Sequence, residues 1–158
     1  MAQNITILVG TMTGTADLVA EEVRDRLEAD GHEVEIVPMD GRDASVFERP
    51  GLFLICSSTY GQGDVPDNAQ GLFAALERDR PDLSSLRFGV IALGDRTYTA
   101  TFCFGGKRFD ELLRSLGASR IGEVMIHDAS AGTIPEEVAV EWAADWVAQI
   151  PDARDEAA

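Results

Sequence analysis

Three stretches of the chain combine glycines with hydroxyl or aromatic side chains, a composition typical of ligand-binding loops. The first follows an apolar run and reads GTMTGTA over residues 10–16. Glycine lets the backbone approach a ligand closely, and a helix that starts there presents unpaired N–H groups at its positive end. Three threonine hydroxyls add donors, and no lysine or arginine occurs before Arg24. The pattern predicts that amides, hydroxyls and the helix dipole bind a phosphate monoester.

This first loop differs from the two common nucleotide-binding motifs. It has neither the GxxxxGK[ST] pattern of a P-loop nor the GxGxxG pattern of a dinucleotide-binding turn. An ordinary turn between a strand and a helix is the alternative interpretation of the loop taken alone. We favour phosphate binding because glycines, hydroxyls and a predicted helix start coincide.

The other two stretches each carry one of the chain's two tyrosines. Residues 57–69 read SSTYGQGDVPDNA, and residues 93–103 read LGDRTYTATFC. A tyrosine on a glycine-containing loop can stack on a flat ring. A single exposed loop tyrosine is common on any protein surface. Two of them at one crevice, however, predict a planar ligand held between Tyr60 and Tyr98.

Short apolar runs alternate with helical patterns along the chain, which predicts five strand–helix units. The first, third and fourth runs are continuously apolar, as expected for central strands covered on both faces, whereas the second and fifth are mixed and belong at the edges. We therefore predict an α/β fold, a doubly wound five-stranded parallel sheet of order 2-1-3-4-5 with helices on both faces. In that order the three loops meet where strands one, three and four end.

Length and composition indicate one globular domain. The chain has 158 residues, of which 45% are hydrophobic and 26% charged. We expect residues 1–151 to form a single domain and the polar residues 152–158 to be a disordered tail. No apolar run approaches the roughly 20 residues of a membrane span, and the start lacks a secretory signal, so we expect a cytoplasmic protein. The two cysteines match no metal or disulfide spacing, and Cys56 lies in an apolar run that predicts burial.

The chain is strongly acidic, with a formal net charge of −15. This charge argues against nucleic acid and anionic membranes as partners, and it can attract a basic protein. Simple solubility is the alternative explanation. Asp64, Asp67 and Asp95 lie in the second and third loops, where we expect them to make a negative field beside the ligand.

The three loops together resemble the FMN-binding loops of the flavodoxin family. TMTGTA resembles the family's phosphate loop, STYG…G…PDNA its second flavin loop and LGDRTY…FC its third. The last two are most similar to the FMN domains of diflavin reductases and, with the ending IPEE…W…W, to free-standing flavodoxins of the MioC type. The chain lacks the insertion of long-chain flavodoxins and so resembles the short-chain members. The strand order given above is the one that flavodoxin itself adopts, so it is a match to a known pattern.

The resemblance implies one non-covalently bound FMN and neither catalytic nor metal-binding residues. The residues that it assigns to the phosphate are Thr11, Met12, Thr13, Gly14, Thr15 and Ala16. Those assigned to one side of the flavin are Ser58, Thr59, Tyr60, Gly61 and Gly63. Those assigned to the other side are Leu93, Gly94, Asp95, Tyr98, Phe102 and Cys103.

The resemblance further implies a monomeric electron carrier that exchanges electrons with a flavodoxin reductase or a similar basic redox protein. An FMN-dependent reductase of quinones or nitro compounds is the alternative, and NAD(P)H turnover without a partner protein would distinguish the two. A phosphate-switched signalling module of similar fold is excluded. It needs acids after strands one and three, where this chain has Gly10-Thr11 and Ser57-Ser58.

Overall fold

A computed structural model describes residues 4–10, 15–39, 43–48, 51–57, 67–84, 86–94, 104–122, 124–128 and 135–149. The predicted tail, 152–158, lies outside these residues. The strands in the described part are β1 (Asn4–Gly10), β2 (Glu33–Pro38), β3 (Leu52–Ser57), β4 (Arg87–Gly94), β5 (Ser119–Arg120) and β6 (Met125–Asp128). The α-helices there are α1 (Thr15–Ala29), α2 (Asp67–Asp79), α3 (Phe104–Ser115) and α4 (Pro135–Ala148), and a 3-10 helix spans Ala44–Glu48.

The strands form one parallel sheet with the order β2-β1-β3-β4-β5, and β6 also pairs with β4. The predicted order is confirmed. Every residue of β3 is buried, whereas β2 alternates between exposed and less exposed residues up to Val37. A central strand is covered by helices on both faces and is apolar throughout, while an edge strand keeps polar side chains in water.

The last strand, predicted as one continuous element, is divided in two. Phe88 of β4 pairs with Arg120. Ile91, three residues further along β4, pairs with Met125, which is five residues further along the outer chain. The outer chain therefore contains two extra residues at this point. We call the segment between these two pairings the bulge, and its Gly122 has a φ of 71°, a left-handed conformation that glycine accepts without strain.

The core has two halves, one on each face of the sheet. The half under α1 and α4 includes Val19, Val23 and Leu27, the apolar stripe that the helical spacing of α1 predicts. The half under α2, α3 and the 3-10 helix includes Leu72, Leu76, Phe109, Leu113 and Phe47. All eight side chains are buried. Each helix thus buries one stripe against the sheet and leaves the opposite face outward.

Trp146 of α4 packs on β4 where a glycine leaves room for its ring. A Cβ built on Gly89 would lie 2.5 Å from Trp146 Nε1, closer than real side chains approach. Trp142 stacks on Trp146 with 5.9 Å between ring centroids and 18° between planes. Among the residues that the structure describes, the buried indole N–H of Trp146 has no hydrogen-bond partner, and the ring stabilises α4 there through its packing contacts.

Glycines end two of the helices at the edge of the sheet where the strands begin. After α1, Gly31 N–H donates to the Glu28 carbonyl and His32 N–H donates to the Leu27 carbonyl. Gly31 has a φ of 98°, and this pair of bonds is the Schellman arrangement, which satisfies carbonyls left unpaired at the end of a helix. Gly117 ends α3 in the same way.

Candidate functional site

The ends of β1, β3 and β4 lie side by side at one edge of the sheet. Gly10, the last residue of β1, pairs with Ser57, the last residue of β3. Ser57 in turn pairs with Ala92, and β4 continues from there to Gly94. Because the strands are parallel, the chain leaves all three at the same edge. The structure therefore brings together the starting points of the three predicted loops.

Helices return from the same edge after each loop. The helix α1 begins at Thr15, α2 at Asp67 and α3 at Phe104. Each helix runs back along the sheet, so its N-terminal N–H groups and the positive end of its dipole lie near the strand ends. Negative charge on a ligand is favoured there over positive charge.

The predicted contact residues divide into four that belong to described elements and thirteen that lie outside the described residues. Thr15 and Ala16 lie in the first turn of α1, and Leu93 and Gly94 are the last two residues of β4. The others lie outside the described residues: Thr11, Met12, Thr13, Gly14, Ser58, Thr59, Tyr60, Gly61, Gly63, Asp95, Tyr98, Phe102 and Cys103. For all of these residues, described or not, contact with a ligand stays a prediction.

The three strand ends have the residue types that a ligand close to the backbone requires. Gly10 and Gly94 carry no side chain, and the serine that lies between them, Ser57, is fully buried. The edge is therefore not filled by large side chains at these strand ends. A flat ligand with a phosphate group, as FMN is, fits such an edge when hydroxyl-rich loops and helix N-termini surround it.

A fourth strand also reaches this edge. Asp128, the last residue of β6, pairs with Gly94. The bulge determines this placement, because the two extra residues decide which residue of the outer chain lies beside the end of β4. The pairing of Asp128 with Gly94 is visible only in the structure, because no local pattern in the sequence encodes the register of paired strands.

Cys56 precedes Ser57 in β3 and is completely buried, as the sequence predicts. Burial raises the pKa of its thiol well above the usual range, and the negative charge of Asp17 raises the pKa further. The thiol is therefore protonated and unreactive at neutral pH. We conclude that Cys56 fills the core and is not a nucleophile beside the site.

The described part of the chain contains neither a candidate metal site nor a candidate membrane-spanning helix. In those ranges, no group of three or more histidine, cysteine, aspartate or glutamate side chains is arranged to hold a metal ion. No helix within them is long and apolar enough to cross a membrane.

Comparison with known proteins identifies the family. The flavodoxin family profile matches residues 7–142. Flavodoxin YqcA of Pectobacterium carotovorum subsp. carotovorum is 42% identical over 154 residues, which are 98% of this chain and 100% of the relative. Protein MioC of Escherichia coli (strain K12) is 37% identical over 144 residues, 91% of this chain and 96% of the relative.

Solved structures lead to the same family. A cysteine-to-alanine variant of a flavodoxin from Pseudomonas aeruginosa superimposes with a TM-score of 0.83 at 36% identity, covering 92% of this chain and 97% of that one. The family profile extends from β1 into α4 and so includes all four strand ends described above. The chain therefore belongs to the flavodoxin family and is an FMN-binding electron-transfer protein.

Proposed function

We propose that this protein is a cytoplasmic, monomeric carrier that takes electrons from one protein, a flavodoxin reductase or a similar basic redox protein, and delivers them to another. The observation that carries the proposal is the register that places Gly10, Ser57 and Gly94 at one edge of the sheet. That register makes one site of the three loops whose sequences resemble the flavin loops of flavodoxins.

The loop between β1 and α1 holds the phosphate of FMN. Thr11, Met12, Thr13, Gly14, Thr15 and Ala16 supply amides and hydroxyls there. No basic residue occurs between β1 and Arg24, so the negative charge of the phosphate is met by hydrogen bonds and by the dipole of α1. Charge-assisted hydrogen bonds of this kind are stronger than neutral ones and select for the phosphate group.

The second and third loops cover the flavin ring. Tyr60 packs on one face with its neighbours Ser58, Thr59, Gly61 and Gly63. Tyr98 packs on the other, accompanied by Leu93, Gly94, Asp95, Phe102 and Cys103. FMN itself supplies the redox chemistry when bound, by taking up and giving up electrons. Acidic side chains nearby disfavour negative charge on the reduced ring, which lowers its reduction potential.

Exchange with protein partners is favoured over reduction of small molecules. The sequence has no second nucleotide-binding motif that would indicate a dedicated NAD(P)H site, neither a GxGxxG turn nor a P-loop. The FMN-loaded protein is therefore expected to oxidise NAD(P)H only when a reductase is added.

Selectivity for the phosphate group tests cofactor binding. We expect the apoprotein to bind one FMN per chain, at least about tenfold more tightly than riboflavin, since one or more charge-assisted hydrogen bonds of roughly 1.5–3 kcal/mol are lost with the phosphate. Thr13→Ala should weaken FMN binding and leave riboflavin binding unchanged, so riboflavin is the internal control. Isothermal titration calorimetry measures both. Equal affinity for the two ligands, or tighter binding of FAD, would contradict the assignment.

The two tyrosines provide an independent test of the ring site. Tyr60→Ala and Tyr98→Ala should each weaken FMN binding by about 0.5–1.5 kcal/mol beyond the loss of buried area, because each removes a stacked ring. Flavin fluorescence, quenched in the parent protein, should rise in both variants. Tyr60→Phe and Tyr98→Phe keep the ring and should behave like the parent. Alanine variants that bind and quench normally would show that the tyrosines do not enclose the flavin.

A further inference from the structure

Arg120 of β5 bonds two parts of the chain at once. Its Nη1 donates to Asp110 Oδ2 of α3 at 2.6 Å, and its Nε donates to the carbonyl of Gly122 at 3.0 Å. The guanidinium is planar and presents its N–H groups in a fixed geometry. The two bonds together therefore hold Gly122, and with it the bulge, at one position relative to α3.

Burial makes the carboxylate of Asp110 a firm anchor for this arrangement. Asp110 is buried, Arg114 Nη2 bonds the same Oδ2 at 3.1 Å, and Oδ1 has no hydrogen bond to any described residue. A buried carboxylate must keep its cationic partners, because burying it without them is strongly unfavourable. Asp110 thus fixes the guanidinium of Arg120 against α3, and the bond to Gly122 is fixed along with it.

Gly122 marks the point where the outer chain leaves β4. The N–H of Ile121 still donates to the carbonyl of Phe88 at 2.8 Å, so pairing with β4 continues to the residue before Gly122. Pairing resumes only at Met125. On the side of α4, a Cβ on Gly122 would lie 3.0 Å from Gln149 Oε1. The bond from Arg120 therefore acts where the strand ladder is interrupted and cannot itself hold the chain.

The two extra residues of the bulge decide which residue of β6 lies beside Gly94. With them, Asp128 pairs with Gly94. A chain that continued from the pair of Phe88 and Arg120 without extra residues would put Ile126 there instead. Neighbouring strands lie roughly 4.7–4.9 Å apart, so Asp128 is one strand spacing from a residue predicted to contact the flavin. The bulge thus exchanges an apolar residue for an acid at the FMN edge.

An acid at this register position bears on the reduction potential of a bound flavin. FMN is reduced in two one-electron steps, and a nearby carboxylate opposes the step that leaves negative charge on the ring. The interaction energy of two charges falls as they move apart, so the size of this effect depends on where the end of β6 is held. A contact that fixes the end of β6 therefore also fixes part of the potential.

We propose that Arg120 is a positioning residue for the redox chemistry of FMN. Through Asp110 and the carbonyl of Gly122 it holds the bulge, and so it keeps the end of β6, with Asp128, beside Gly94. Arg120 itself lies opposite Phe88, six residues or about 20 Å along β4 from Gly94, so it acts on the flavin through the bulge. The inference rests on the proposed flavin site at this edge and adds a distant residue to it.

Three substitutions separate the position of β6 from the charge of Arg120. Arg120→Met removes both bonds. Arg120→Lys keeps a positive charge for Asp110, but its single nitrogen cannot replace both Nη1 and Nε. Arg114→Met is the matched control, because Arg114 bonds the same oxygen of Asp110, whereas the carbonyl of Gly122 is bonded by Arg120. Potentiometric titration of the FMN-loaded proteins, followed by flavin absorbance, gives both one-electron potentials, and calorimetry gives the FMN stoichiometry of each variant.

We expect Arg120→Met and Arg120→Lys each to favour the second one-electron reduction about twofold, because the end of β6 is no longer held beside the ring. Asp128→Asn should favour it about threefold, which is about 28 mV at 59 mV per tenfold for one electron. Arg114→Met should leave the potential unchanged. Loss of the positive charge of Arg120 would by itself make the reduction less favourable, so the sign of the shift distinguishes position from charge.

A double variant tests whether Arg120 and Asp128 act together. Arg120→Lys combined with Asp128→Asn should have the potential of Asp128→Asn alone, because no charge is left to displace. Additive shifts, or an unchanged potential in either Arg120 variant or in Asp128→Asn, would overturn the role of Arg120 while FMN binding leaves the flavin site intact. A parent protein that binds no FMN would instead contradict the proposed function itself.

Discussion

Gly51→Ala is expected to lower the free energy of unfolding by about 3 kcal/mol or more. Gly51 has a φ of 98°, where any side chain strains the backbone by roughly 1–2 kcal/mol. A Cβ at this position would also overlap the backbone carbonyl of Asn4, at the start of β1. Backbone atoms cannot rotate away as a side chain can, so β1 and β3 would have to move apart at their first pair, Ile5 and Leu52.

Gly31 provides the matched control for this variant. It has the same φ of 98°, but a Cβ there would meet no atom of the described residues within 4 Å. Gly31→Ala should therefore show only the backbone strain, about 1–2 kcal/mol. Urea unfolding of the two apoproteins, followed by circular dichroism, gives both values. Equal destabilisation would mean that the close approach of Asn4 contributes nothing.

Arg120→Met is expected to destabilise the protein by about 3 kcal/mol, because it leaves a buried carboxylate without its main partner. Asp110 of α3 is only 4% exposed. Its Oδ2 lies 2.6 Å from Arg120 Nη1 and 3.1 Å from Arg114 Nη2, and its buried Oδ1 has no hydrogen bond to any described residue. Arg120 also donates from Nε to the carbonyl of Gly122, so one side chain connects α3 to the bulge.

Arg114→Met is the control for this ion pair. Arg114 is about half exposed and bonds the same oxygen, so its loss should cost at most about 1 kcal/mol. Combining Arg120→Met with Asp110→Leu removes the buried charge and should restore most of the stability, since apolar replacements of buried ion pairs are often neutral. Denaturant unfolding at pH 7 compares the variants. Similar losses for Arg114→Met and Arg120→Met would refute the dominant role of Arg120.

The loss of Arg120 should also be visible locally. Its bond to Gly122 holds the two-residue bulge, and β6 follows directly and ends beside Gly94. Amide hydrogen exchange in β6 should therefore accelerate more in Arg120→Met than in Arg114→Met. Exchange in the central strand β3 follows the global free energy of unfolding and is the reference against which the change in β6 is compared.

Much of the fold could be predicted from the sequence, because a strand that helices cover on both faces of the sheet is a continuous apolar run. Continuous apolar runs identified β1, β3 and β4 as central strands, and the mixed run around Val34 identified an edge strand. The helical stripe that ends at Leu27 predicted which face of α1 is buried. The three candidate loops were likewise visible in the sequence, because glycines, hydroxyls and tyrosines cluster directly after those central strands.

Other features depend on which residues meet across the fold, and local patterns do not encode that. Hydrophobic periodicity cannot count the two extra residues between Arg120 and Met125, since register is a property of paired strands. It also cannot show that Gly89 makes room for Trp146, because the two residues are far apart in sequence. Periodicity predicts that the acids of α1 and α4 face outward. Only the packing of these two helices on the same face of the sheet brings those acids together into one charged surface.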